Sequence, residues 1–100
     1  MPQAAQRSHA KGRMTLSALN TAKTIASATG GGVVPDGTIF ALIQAQTQNV
    51  RWTDNGDTPT ASSGHRLAAW QTLEYDADLT KLKFIEETGS ATLEVTFYGL

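Results

Sequence analysis

The second half of the chain alternates apolar and polar residues with the period of two that is typical of β-strands. In the clearest segment, residues 91–100 (ATLEVTFYGL), the side chains of Leu93, Val95 and Phe97 share one face and polar residues occupy the other. The segments NVRWT, WQTLEY and LTKLKFIEE precede it at short intervals, with turn residues between them. Several short strands without a convincing long helix predict an all-β fold, namely a β-sandwich, a jelly roll or a small barrel.

The segment TIFALIQAQ, residues 38–46, is apolar on both faces of the predicted strand. Its alternation places Ile39 on one face together with Ala41, Ile43 and Ala45, and places Phe40 and Leu42 on the other. A strand that is apolar on both faces is typical of a central strand covered on both sides. We therefore expect a neighbouring subunit to supply one of the covers.

The inward faces of these strands predict a common core. Leu93, Val95 and Phe97 of the last strand are expected to pack against apolar residues of the preceding strands. These partners are Val50, Trp52, Leu82 and Phe84.

The first 35 residues differ from this pattern. Residues 1–13, MPQAAQRSHAKGR, have no large aliphatic or aromatic side chain to offset the entropy of ordering, so we predict that they are disordered in isolation. One or two short strands with a break near Asn20 follow, and Gly30–Gly32 form a flexible joint before a turn at Asp36-Gly37. The predicted organisation is a basic, flexible arm over residues 1–35 and a β-sandwich or jelly-roll body over residues 36–100.

Charge is distributed unevenly between these two parts. Residues 1–35 contain four basic residues and no acidic ones, whereas residues 36–100 contain nine acidic residues and four basic ones. A basic arm on an acidic body can bind a complementary surface of a neighbour, including a second copy of the chain. Arg7, Lys11 and Arg13 are the arm residues expected to make this contact. The acidic body argues against nucleic acid as a partner.

Composition excludes several classes of protein. One hundred residues suit one domain with one compact core. The chain has no cysteine, so disulfides and thiolate metal sites are impossible. No apolar run approaches the ~20 residues that a membrane-spanning helix needs, so we expect no membrane partner.

The sequence Asp54-Asn55-Gly56-Asp57 is the strongest candidate for a metal site. An EF-hand calcium loop continues to a glutamate at its twelfth position, but the twelfth residue from Asp54 is His65. Asparagine, glycine and aspartate together favour the positive φ angles of tight turns. We therefore predict a turn at these residues.

No other set of residues has the spacing of a catalytic or cofactor site. Asp76 and Asp78 could form a carboxylate pair, but they precede Leu79 in a turn-like segment. His9 and His65 are too far apart in sequence for a ligand cluster. We expect no catalytic, cofactor-binding or metal-binding residues, and no enzyme activity. Exposed aromatic residues would instead indicate a carbohydrate-binding module, with the candidates Trp52, Trp70 and Tyr75.

Residues 50–100 resemble a group of small structural proteins of tailed bacteriophages. The resemblance lies in the order VRW, an acidic glycine turn, the PTASSG loop, LEYDADLTKLKFIE and a final β-strand. It implies a β-rich virion component, either a head decoration (cement) protein or a small neck or tail part. Residues 1–35 lie outside the matching region.

The resemblance and the residue patterns together predict a non-enzymatic capsid decoration protein that stabilises the head through contacts between subunits. The implied partners are the major capsid protein or other virion proteins, and the chain is expected to form a homo-oligomer. The implied location is the virion, assembled in the host cytoplasm. The residues expected at the interface are Arg7, Lys11, Arg13, Ile39, Phe40, Leu42 and Trp70.

Overall fold

The computed structural model describes residues 9–25 and 34–99. These described residues contain eight β-strands and, between the sixth and seventh, a 3₁₀ turn at Leu79–Lys81. The strands are β1 His9–Leu16, β2 Lys23–Thr24, β3 Thr38–Gln46, β4 Val50–Thr53, β5 His65–Leu67, β6 Thr72–Tyr75, β7 Lys83–Glu86 and β8 Thr92–Gly99.

The strands form two four-stranded antiparallel sheets. The first sheet has the order β1-β8-β3-β6, and the second has the order β2-β7-β4-β5. The two sheets contribute to one hydrophobic core. The predicted all-β fold is therefore confirmed, in the form of a sandwich. A jelly-roll connectivity and an extended N-terminal arm stay predictions.

The core lies between the inward faces of the two sheets. Leu93, Val95 and Phe97 of β8 are buried, as the alternation of that strand predicts. The predicted partners Val50, Leu82 and Phe84 are fully buried, and Trp52 is half-buried against them. The core residues that no strand pattern indicated include Leu19 and Ile25, which flank β2 and are both fully buried.

Strand β3 departs from simple alternation at Ile39. Thr38 pairs with Gly99 and Phe40 pairs with Tyr98, so Ile39 is an extra residue at a β-bulge. The bulge breaks the period of two, and Ile39 is 46% exposed instead of sharing the buried face of Ala41. The prediction that Ile39 lies on the same face as Ala41, Ile43 and Ala45 is therefore wrong.

Strand β1 begins inside the segment that the sequence predicts to be flexible. His9 pairs with Gly99, and Arg13 pairs with Thr96, so residues 9–13 form one edge of the first sheet. This part of the prediction is wrong, because the absence of large side chains does not prevent an edge strand from gaining backbone hydrogen bonds to its neighbour. The predicted break near Asn20 does separate β1 from β2.

Two predicted features, Arg7 in the arm and the glycine joint at Gly30–Gly32, lie outside the described residues. Within residues 9–25 and 34–99, no helix has the length and apolar character required to cross a membrane.

Candidate interaction surface

The outer face of the first sheet, which is turned away from the core, carries an aromatic pair. Phe40 of β3 lies opposite Tyr98 of β8, and their rings stack with centroids 4.9 Å apart and planes 8° from parallel. Leu42 lies two residues further along β3, opposite Thr96, and all these side chains are half-buried. The solvent face of an antiparallel sheet is usually polar, so the apolar residues here make this face a candidate interaction surface.

We refer to Ile39, Phe40, Leu42 and Tyr98 together as the Phe40 surface. The sequence pattern predicts the first three as interface residues but not Tyr98. The alternation of the last strand was the available signal. Leu93, Val95 and Phe97 face the core, so Tyr98 lies on the opposite, outer face.

A groove of about 430 Å³ adjoins this surface between the start of β3 and the end of β6. Its lining residues are Ile39, Phe40, Glu74, Tyr75 and Asp76. The groove opens here because the pairing of β3 with β6 ends at Ala41 and Tyr75, after which the chain leaves the first sheet. Apolar side chains and exposed carboxylates therefore meet in one concave site.

The two described basic residues of the predicted interface lie on β1, in the same sheet. Arg13 of β1 and Leu42 of β3 both lie opposite Thr96 of β8, so the three residues form one row across the sheet. The Arg13 guanidinium forms an ion pair of 2.9 Å with Glu94, which also accepts a hydrogen bond from Thr15. These hydrogen bonds, that of Thr15 foremost and then that of Arg13, lower the pKa of Glu94. Arg13 therefore borders the Phe40 surface while 68% of its side chain stays exposed.

Lys11 occupies a second bulge, in β1 between Ala10 and Gly12. Its side chain extends alongside Gly37, in the turn that leads into β3. Arg13 and Lys11 are thus both on the first sheet with the Phe40 surface. This convergence could not be predicted from the sequence, because no pattern showed that β1 joins this sheet.

Trp70 lies apart from the Phe40 surface, in the connection between β5 and β6. Its backbone N–H donates to Ala45 at 2.6 Å, and its carbonyl accepts from Gln44 at 3.3 Å. Ala45 is four residues along β3 from Ala41, the residue that faces Tyr75 beside the groove. Trp70 has a φ of 70° and is 59% exposed, an uncommon backbone conformation for a bulky residue. Hydrogen bonds to β3 therefore hold a large apolar side chain in solvent.

The three aromatic residues proposed as a sugar platform are not assembled into one. Trp52 packs against Tyr75 with ring centroids 6.2 Å apart, and against His65 at 4.8 Å. Tyr75 is buried, so its ring presents no open face. Trp70 lies in the connection between β5 and β6, beside Ala45 and away from the other two aromatic residues.

The loop that contains Asp54 and Asp57 is a hydrogen-bonded turn. The backbone N–H of Asp57 donates to the Asn55 side chain at 3.1 Å, and the Thr53 hydroxyl donates to the Asp57 carbonyl at 2.6 Å. Gly56 has a φ of 95°, the positive angle that the sequence predicts for this turn. In the part of the chain that the structure describes, no group of three or more histidine, aspartate or glutamate side chains is arranged to hold a metal ion.

Replacing Gly56 with valine should destabilise the fold by about 1–3 kcal/mol, because a β-branched side chain is strained at this φ. Gly89→Val is the matched control, since a Cβ at Gly89 meets no atom within 4 Å and its φ is not in the positive region. Thermal denaturation of both variants and of the wild type, with and without a chelator, tests the turn. A large drop in Tm on adding chelator would instead reveal a metal-stabilised loop.

Tyr75 connects this loop to the first sheet. Its hydroxyl donates to Asp54 at 2.7 Å. Burial raises the pKa of Tyr75 to about 12, and the hydrogen bond to Asp54, the charge of Asp54 and the charge of Asp78 act in the same direction. The protonated phenol is thus the form that the folded protein favours.

The raised pKa of Tyr75 makes stability sensitive to alkaline pH. Its stabilising effect should be complete below pH 10, the usual pKa of tyrosine, and should be lost as pH rises through about 12. Tyr75→Phe should cost about 1 kcal/mol at neutral pH through the lost hydrogen bond, and should show a smaller loss of stability above pH 10. Chemical denaturation at several pH values tests this. Equal alkaline losses in variant and wild type would contradict the assignment.

Glu87 forms an ionic cluster on the second sheet that sequence patterns did not reveal. Its carboxylate accepts hydrogen bonds from Arg51 at 2.6 Å and from Asn49 at 3.2 Å, and lies 3.2 Å from Arg66. Burial raises the pKa of Glu87, but these hydrogen bonds and the two arginine charges outweigh it, so the net shift is downward. The cluster connects the end of β7 to β4 and β5, which indicates a structural role.

Comparison with known proteins returned no similar protein: no family model matches the chain, and neither the curated proteins nor the solved structures contain a match.

Proposed function

We propose that the protein is a non-enzymatic structural component of a bacteriophage virion, and specifically a capsid decoration protein. The observation that carries the proposal is the Phe40 surface, an apolar patch with a stacked aromatic pair on the outer face of a sandwich sheet. Its partner is the major capsid protein or another virion protein. The phage assignment itself rests on the resemblance of residues 50–100.

The composition of this surface supports a role in assembly. Aromatic residues and arginine are enriched in protein interfaces, and Phe40, Tyr98 and Arg13 lie on one face of one sheet. Apolar residues at the centre would supply affinity, and a basic residue at the border would orient the partner. Trp70 offers a second exposed contact in another part of the protein.

The repetition of subunits on a capsid suits a small surface of this kind. A patch of a few half-buried side chains gives modest affinity for one contact. On a symmetric shell each subunit meets several neighbours, so modest contacts act together. The protein would thereby connect capsid subunits and raise the resistance of the particle to heat.

Quantitative mass spectrometry of purified particles tests this function directly. We expect the protein in mature particles at a copy number comparable to that of the major capsid protein, and we expect particles that lack it to release their contents at a lower temperature. A few copies per particle would support a neck or tail location instead. Absence of the protein from particles would contradict a virion role.

A further inference from the structure

The groove beside the Phe40 surface combines apolar side chains with exposed carboxylates. Ile39 and Phe40 supply the apolar part, and Glu74 and Asp76 supply the acidic part. Both acidic residues are exposed, and neither forms an ion pair within residues 9–25 and 34–99. A volume of about 430 Å³ is within the range of ligand-binding clefts. The chemistry of the groove suits a short segment with small apolar residues and one positive charge.

The N-terminal residues of the chain have this composition. Residues 1–8, MPQAAQRS, contain one basic residue, Arg7, no acidic residue, and several small or apolar side chains. They precede His9, which pairs with Gly99, and Gly99 in turn pairs with Thr38 at the start of β3. The chain therefore enters the first sheet at the end where the groove opens.

We propose that residues 1–8 of one copy occupy the groove of a second copy, with Arg7 paired to Glu74 and Asp76. This inference rests on the proposed assembly function and specifies one contact through which copies associate. The apolar residues of the segment would cover Ile39, which the bulge in β3 leaves exposed.

The geometry favours a second copy over the same chain. Neighbouring strands are ~4.8 Å apart, so the groove beyond β3 is roughly 14 Å across the sheet from β1. Two residues span at most ~7 Å, about half of this distance, so the backbone of Arg7 cannot reach the groove of its own chain.

The contact is expected to be weak between free subunits. Exposed ion pairs contribute little affinity and are screened by salt, so the association should decrease as ionic strength rises. On a particle surface, the fixed spacing of neighbouring copies would raise the effective concentration of the segment near each groove.

Because the chain has no cysteine, a spin label can be attached at one chosen position. Full-length Ala5→Cys protein carrying a nitroxide, without isotope labelling, is mixed at low salt with ¹⁵N-labelled full-length wild type. Paramagnetic broadening can then reach only the amides of the second copy. We expect it at Ile39, Phe40 and Asp76, and we expect added salt to reduce it.

A second copy whose groove carries neutral side chains in place of the two carboxylates tests the ion pairs. Glu74→Gln/Asp76→Asn should weaken the association about fivefold. Asp57→Asn, which alters an exposed carboxylate in the turn outside the groove, should leave it unchanged. Any of three results would overturn the proposal. These are equal broadening in the double variant, broadening at residues other than those of the groove, and broadening seen only when the nitroxide and ¹⁵N are in the same chain. The presence of the protein in particles is measured separately, so this inference can fail while the virion assignment stands.

Discussion

Replacing Phe97 with alanine is expected to lower the free energy of unfolding by about 3–5 kcal/mol. Phe97 is 2% exposed at the centre of the first sheet, between Gly12 of β1 and Ala41 of β3. The truncation would leave a cavity among small neighbours that cannot fill it. Such a loss is a large fraction of the stability of a domain of this size, so the variant should be partly unfolded at elevated temperature.

Thr96→Ala is the matched control for this prediction, because Thr96 is adjacent in β8 but faces outward and is half-buried. We expect it to cost less than 1 kcal/mol. Chemical denaturation of both variants provides the comparison. A cost below 1 kcal/mol for Phe97→Ala would show that Phe97 and the residues on its side of β8 do not face the core.

The second large effect is expected at Gly99, where the backbone approaches another strand closely. A Cβ on Gly99 would lie 2.1 Å from the carbonyl oxygen of Gly37 and 3.2 Å from the Cα of Thr38. Because both atoms belong to the backbone, a side-chain rotation cannot relieve the overlap. Gly99→Ala should therefore destabilise the protein by about 3 kcal/mol.

Gly89→Ala should have a negligible effect, since a Cβ there meets no atom within 4 Å. Gly99→Ala should also move the NMR signals of Ile39 and Phe40, because the close approach holds the start of β3 against β8 at the bulge. Equal stability of the two variants would contradict this account of the strand pairing.

The central strands could be predicted from the sequence because each alternates over a long run. β3 spans Thr38–Gln46, as its pattern indicates, and β8 covers Thr92–Gly99 within the predicted segment. β5, His65–Leu67, was missed because three residues are too short for a periodic pattern. The early start of β1 was missed because side-chain hydrophobicity does not report the backbone hydrogen bonds available at a sheet edge.

The candidate interaction surface was predictable only in part. The outward positions of Phe40 and Leu42 follow from the apolar character of both faces of β3. The bulge at Ile39 depends on pairing with β8, which sequence periodicity does not encode. The same limitation applies to Trp70, whose positive φ depends on backbone contacts with β3. Long-range pairing thus determines which side chains share a surface.

The most direct test of the assembly role is the binding of a Leu42→Lys variant to particles that lack the protein. A lysine at the centre of the Phe40 surface would place a charge among the apolar contacts of the interface, while in the free protein it lies opposite Glu74 and keeps the fold. Ala61→Lys, at an exposed position in the loop between β4 and β5, is the charge-matched control. We expect Ala61→Lys to bind like the wild type and Leu42→Lys to lose at least tenfold in affinity. Equal binding of the two folded variants would contradict the assignment of the Phe40 surface as the interface.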